Sequence, residues 1–238
     1  MKFRFGLRAI LISMTILCAL FAVIRIHDRS SSIDWVRDVG GDVQFEGDES
    51  QFPTLLRQMF RREIFDPVFA ISLKGDAVSD IERIQALKET KHLELSGIEI
   101  SQLKPIQHLR QLESLLVLNC PIDDWSSLES LKQLSILHIK SKNLPETSEL
   151  RGLPDLKTLA LQSFGNRESV YSLAGLESMH VLEGLAIQID EVSDLNVVLR
   201  LEILRHLFIE TNRIDNETIK LLKLKLPSCK LVSRYPED

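Results

Sequence analysis

The stretch Leu112-Glu113-Ser114-Leu115-Leu116-Val117-Leu118-Asn119-Cys120-Pro121-Ile122 decides the fold. Its template positions 115 and 117 are two apart, the spacing of side chains on one face of a short strand. Positions 112, 120 and 122 bracket that strand, and the same five-place template returns as Leu204, Leu207, Ile209, Asn212 and Ile214. Steps of 22 residues lead back from Leu115 and Val117 to Leu93 and Leu95, then to Ile71 and Leu73. Forward steps of 22 reach Leu137 and Ile139, then Leu159 and Leu161. One step of 26 follows, to Leu185 and Ile187, and 22 again gives Leu207 and Ile209 and finally Cys229 and Leu231, about eight units in all. The second half of a unit has a period of three, as in Val78, Ile81, Ile84 and Leu87, in Ile122, Trp125, Leu128 and Leu131, and in Val192, Leu195, Val198 and Leu201. That is 3₁₀ spacing. A lone amphipathic helix has no reason to keep a 22-residue phase, whereas a coil that buries its apolar edge only against copies of itself must keep one.

This pattern over residues 68–234 resembles the bacterial, internalin-like class of leucine-rich repeats. The resemblance implies an α/β solenoid with short parallel strands on a concave face, 3₁₀ or helical returns on the convex side, and protein binding as the common role. In that family an Asn or Cys after the strand bonds the neighbouring coil. Cys120 and Asn212 fit that place and Asp76 and Asp190 could serve, whereas Ile98, Lys142 and Phe164 do not fit. The longer fifth unit carries extra residues, among them Gly165, Asn166, Arg167 and Glu168, between Phe164 and Val170. A contact loop and a tolerated surface irregularity are both open readings of it.

A solenoid needs caps over its two apolar ends. Residues 33–67 supply one, with a short helix over Ile33 to Val39, a Gly40-Gly41 turn, a strand near Val43 to Phe45 and an amphipathic helix whose stripe is Phe52, Leu55, Leu56, Met59 and Phe60. Arg61 and Arg62 favour the C-terminal dipole of that helix. Thr218 to Leu226 predicts the helix of the other cap, inside a repeat domain of residues 68–238. Residues 1–28 are expected to anchor the chain in a membrane, because Ala9 to Ile24 carry no charge and Lys2, Arg4 and Arg8 precede them. A cleaved signal peptide is the rival, but Ala19 and Ala22 are three apart and no A-x-A site follows. The N-terminal basic excess places the N-terminus in the cytoplasm and the repeats on the other side of a single-pass membrane protein. The stretch Arg4-Phe5-Gly6-Leu7-Arg8 leading into the apolar segment, with the later Gly40-Gly41, also resembles bacterial membrane-anchored repeat proteins that carry such a leader. Residues 29–32 are expected to form a polar linker.

Strand side chains beside the inward positions form rows across the concave face. One row is Ser72, Glu94, Leu116, His138, Ala160, Ala186 and Phe208; the next is Lys74, Ser96, Leu118, Lys140, Gln162, Gln188 and Glu210. Leu116, Leu118, Ile136, His138, Lys140 and Phe208 are the candidate protein-binding residues, an apolar centre in polar surroundings. A one-residue strand shift would instead turn Leu116 and Leu118 inward.

Other chemistry lacks a motif. His92, His138 and His206 are expected on the concave face, with the first two about 10 Å apart, too far to share a metal. Asp123-Asp124 is an acidic turn without a placed partner, and no HExxH, GxSxG, P-loop or dinucleotide glycine pattern is present. Cys18, Cys120 and Cys229 are too scattered for a disulfide or metal framework and read as small buried apolar groups. The formal net charge is −5, and removing Lys2, Arg4, Arg8, Arg25, Arg29 and Asp28 from the 29 basic and 34 acidic residues leaves 24 against 33. Such a body repels phosphate backbones. The expected function is therefore a non-enzymatic protein-interaction module on a membrane, with no cofactor, metal, nucleic acid or small-molecule substrate. The alternative is a structural cell-envelope scaffold acting by lateral self-association.

Overall fold

Alternation at period two and returns at period three translate directly into the architecture. The computed structural model describes residues 7–46, 66–76, 78–164, 170–212, 214–226 and 230–233. A nine-stranded sheet runs in the order β1 (Asp42–Phe45), β2 (Val68–Lys74), β3 (His92–Ser96), β4 (Ser114–Leu118), β5 (Ile136–Ser141), β6 (Thr158–Ser163), β8 (Gly184–Gln188), β10 (His206–Thr211) and β11 (Lys230–Ser233). β1 pairs antiparallel with β2, and the other neighbours are all parallel. The register follows the 22-residue phase, and the pairing of Leu161 with Ile187 and Ile209 with Leu231 carries it past the longer unit. β7 (Tyr171–Ser172) and β9 (Val192–Ser193) form a separate parallel pair after the strands of the fifth and sixth units.

Inward positions such as Leu115, Val117, Leu137 and Ile139 are buried. They pack against returns at Glu82–Ala86, Lys104–His108, Ser126–Ser130, Leu176–Ser178 and Leu195–Arg200, all 3₁₀, and against the single α-helical turn α2 (Thr147–Leu150). In these returns Ile84 N–H donates to Ile81 and Leu87 N–H to Ile84, so each buried residue is also a hydrogen-bonding step. One apolar core runs from Ile33 and Val36 to Leu222 and Leu226. The C-terminal cap helix is α3 (Asn216–Lys225), begun by Asp215, whose carboxylate accepts from Thr218 N–H at 2.7 Å.

Three expectations change. The polar stretch 29–32 is not a linker: α1 runs unbroken from Leu7 to Asp38 and contains it. Ile33 and Val36 of this helix seal the first coil, and Arg29 bonds Glu89 at 2.7 Å and the Asp66 carbonyl. Contacts of that kind bind a linker into the cap. Second, the expected spanning segment is not supported among the described residues, where no helix is long and apolar enough to cross a membrane. Arg25, Asp28 and Arg29 interrupt α1 soon after its uncharged part. Third, Cys18 is exposed, whereas Cys120 is buried as expected and Cys229 lies outside the described residues. The expected amphipathic cap helix with Arg61 and Arg62, and the inserted residues Gly165 to Glu168, also lie outside them.

The bonds between coils differ from expectation too. Gly75, Gly97 and Asn119 take positive φ after their strands, and this kink aims the next residue, Ile98 or Cys120, inward. The Cys120 thiol donates to the Leu95 and Leu118 carbonyls at 3.6 and 3.5 Å, and burial pushes its pKa up. β5 and β10 stay extended one residue longer, so alternation turns Ser141 and Thr211 inward. Ser141 donates to the Cys120 carbonyl at 2.8 Å and Thr211 to the Asp190 carbonyl at 3.0 Å. The ladder place therefore belongs to Thr211 rather than to the Asn212 side chain, and Lys142 is exposed because Ser141 has taken its role.

Candidate functional site: the open face of the sheet

Strand pairing fixes the outward rows. Leu116 lies opposite Glu94 on β3 and His138 on β5, and Leu118 lies opposite Ser96 and Lys140. Leu115 and Val117 are fully buried while Leu116 and Leu118 are half-buried, so the strand is not shifted and both leucines point outward. Ile136 begins the adjacent strand and is 42% exposed. His138, Ala160, Ala186 and Phe208 continue the row of Leu116 across β5, β6, β8 and β10. At about 4.8 Å per strand, Leu116 and Phe208 lie roughly 19 Å apart. The two alanines between them leave a shallow floor.

Polar pairs flank this row, at its first end through Ser72 and Glu94 and, beside Ala186 and Phe208, in the neighbouring row through Gln188 and Glu210. Glu94 accepts from the Ser72 hydroxyl at 2.9 Å and pairs with Lys74 at 3.3 Å. Gln188 donates to Glu210 at 3.0 Å. A hollow of about 220 Å³ lies beside the first pair, bordered by Asp42, Gln44, Ser72, His92, Glu94 and Leu116 among others. Burial and, after it, the positive Lys140 lower the pKa of His138, which is therefore neutral at pH 7 and part of the apolar centre.

All six candidate residues thus share one face, and Leu116, His138 and Phe208 share one row. His92 and His206 head their strands, and the His92 ring meets Phe69 edge-on at 4.5 Å. Among the described residues no three His, Cys, Asp or Glu side chains are grouped to hold a metal. The Asp123-Asp124 turn acquires partners that the sequence did not reveal: Asp124 accepts from Ser126 N–H at 3.0 Å, and Asp123 from the Asn143 amide at 2.7 Å. Hydrogen bonds from Ser126 hold the Asp124 carboxyl below the usual carboxylate range. Asp80 serves Glu82 N–H in the same way, so the acids at these places start 3₁₀ turns. The sequence signal was their common place two residues before the return.

The architecture has relatives among solved structures. An internalin (inlF) from Listeria monocytogenes superposes with a TM-score of 0.51 over 69% of this chain and 54% of its own, at 19% identity. An internalin C2 (inlC2) from the same species gives 0.52 over 69% and 71%, at 22% identity. These likenesses are ones of fold, and this chain spans about half the length of the first. No protein-family profile matches the chain, and no curated protein matches it in sequence. The parallel sheet, its 22-residue register and these neighbours together define a leucine-rich-repeat-like solenoid.

Proposed function

We propose that this protein is a membrane-attached, non-catalytic module that binds another protein across the open face of its sheet. The half-buried row from Leu116 to Phe208, with polar pairs at its first end and along its flank, carries this reading. Exposed apolar groups ringed by polar ones are costly in water and gain by being covered. Leu116, Leu118, Ile136 and Phe208 supply the apolar contact, and His138 and Lys140 fix orientation. No catalytic motif in the sequence competes with this use of the face.

Membrane attachment is supported by the first part of α1. Met14, Ile16, Leu17, Leu20, Phe21, Val23, Ile24 and Ile26 are all exposed large apolar side chains. At 100° per residue they spread over about two thirds of the helix circumference, more than one protein contact would cover. The uncharged run begins at Ala9, ahead of these residues. The N-terminal basic residues favour a cytoplasmic N-terminus with the repeats on the opposite side.

Two measurements test the proposal. The full chain bearing a C-terminal tag is probed with protease on intact cells: cleavage without lysis, in a membrane-retained protein, is expected, and protection until lysis overturns the orientation. Captures from the membrane fraction with wild type and Leu116→Glu are then compared. A specific partner lost on substitution is expected. Equal capture by both, or only concentration-dependent self-association, sinks the binding-face reading and favours a scaffold.

A further inference from the structure

A cleft of about 920 Å³ opens between α1 and the 3₁₀ returns of the first coils. Arg25, His27 and Arg29 border it from the helix, and Arg83, Lys88 and His108 from the returns. Arg29 is engaged by Glu89. Arg25, Arg83 and Lys88 are exposed and form no ion pair among the described residues. Asp28 and Glu82 also border the cleft, so its remaining fixed charges favour an anion by one, on a chain whose net charge is −5. Position adds what charge alone does not. Arg25 directly follows the uncharged run that ends at Ile24. At 1.5 Å per residue, Arg25 to Arg29 occupy roughly the first 8 Å beyond it. The headgroup layer of a bilayer is about 5–8 Å deep on each side. Arg83 and Lys88 line the same cleft as those helix residues.

We infer that this cleft holds the phosphate of an anionic phospholipid in the leaflet next to the repeats, bound by Arg25, Arg83 and Lys88. The inference rests on the proposed membrane attachment and adds to it a lipid preference and a fixed seating of the solenoid on the bilayer. With α1 continuous into the cap, a bound headgroup couples the lipid to the first coils without a flexible joint.

Flotation of the full chain with vesicles of phosphatidylcholine alone tests the attachment. Short-chain phosphatidylglycerol, short-chain phosphatidylcholine and glycerol 1-phosphate are then titrated by calorimetry into the full chain in neutral detergent, for wild type and for Arg83→Gln/Lys88→Gln. Phosphatidylglycerol is expected to bind wild type best. The double variant should bind it roughly 25-fold more weakly, at about fivefold per basic side chain near an anionic surface. Both side chains are exposed, so an unchanged melting temperature is expected. Co-flotation with equal phosphatidylglycerol affinity in wild type and variant overturns the lipid site while leaving the attachment intact. Glycerol 1-phosphate binding as tightly as the lipid makes the cleft a site for free phosphate esters and overturns the lipid assignment. Failure to float with any vesicle removes the attachment, and the inference with it.

Discussion

At the scale of single residues, what a side chain does depends on whether its strand ends or continues. Ser141 is buried and donates to the Cys120 carbonyl, which also accepts from Ile122 N–H. Ser141→Ala therefore removes one of two bonds to that oxygen, and denaturant unfolding should show a loss of about 1 kcal/mol. Lys142→Ala, at the neighbouring exposed site, should stay within about 0.5 kcal/mol of wild type. The sequence template put the ladder place at Lys142, which does not fit it, and so left this turn without a tie. It shows a template slot but not the backbone angle before it, and positive φ at Asn119 against extended geometry at Ser141 decides which residue turns in. The outward leucines were legible only through the 22-residue phase, because alternation within the all-apolar run Leu115 to Leu118 fits either face. His138 carries a second prediction, on pH. Its pKa is depressed by burial and then by Lys140, so as pH falls below the ordinary histidine range the unfolded chain takes the proton first. Stability contributed by this site is thus undiminished above that range and falls until the pH passes below the depressed value. A partner covering His138 deepens the penalty, so affinity should fall as the pH drops below the ordinary histidine range, and His138→Gln should flatten the profile.

At the scale of elements, α1 shows where composition misleads. The change from apolar to polar residues near Arg25 reads as a boundary between anchor, linker and cap, yet backbone conformation does not follow polarity. No Gly or Pro falls between Gly6 and Gly40, so nothing in the chain stops the helix, and Gly40-Gly41 ends it. At Gly41 a Cβ would lie 2.8 Å from the Ser72 and Val36 carbonyl oxygens, so the turn that delivers β1 to β2 requires glycine there. The C-terminal helix was legible to within two residues because its signals are local. Its cap gives the element-scale prediction. Asp215→Ala should cost about 1 kcal/mol at neutral pH, read from the unfolding midpoint. Hydrogen bonds from Thr218, side chain first and then backbone, hold this carboxyl low. Its contribution is present above the unfolded carboxylate range and disappears as the pH falls through the lower folded value, where wild type and variant should converge.

At the scale of the molecule, each coil meets only its neighbours, and identical register makes coils interchangeable. Leu93 pairs with Leu115 and Leu115 with Leu137, so Leu137 presents to β3 the same position that Leu115 does. Removing residues 112–133 joins Gln111 to Leu134, the counterpart of Leu112 one coil later, and keeps every remaining inward position in phase. Nearest-neighbour energetics then predict a folded, shorter solenoid still sealed by both caps. Its calorimetric unfolding enthalpy should drop by about 15 kcal/mol, at roughly 0.7 kcal/mol for each of the 22 residues removed. The deletion takes out Leu116 and Leu118, so the shortened protein should fold and yet lose the partner that Leu116→Glu loses. Retained folding with lost binding separates the repeat as a structural unit from the open face as a site. Aggregation of the deletion variant would instead mean that the coils are not interchangeable and that contacts particular to this one, beyond the shared register, hold the stack together.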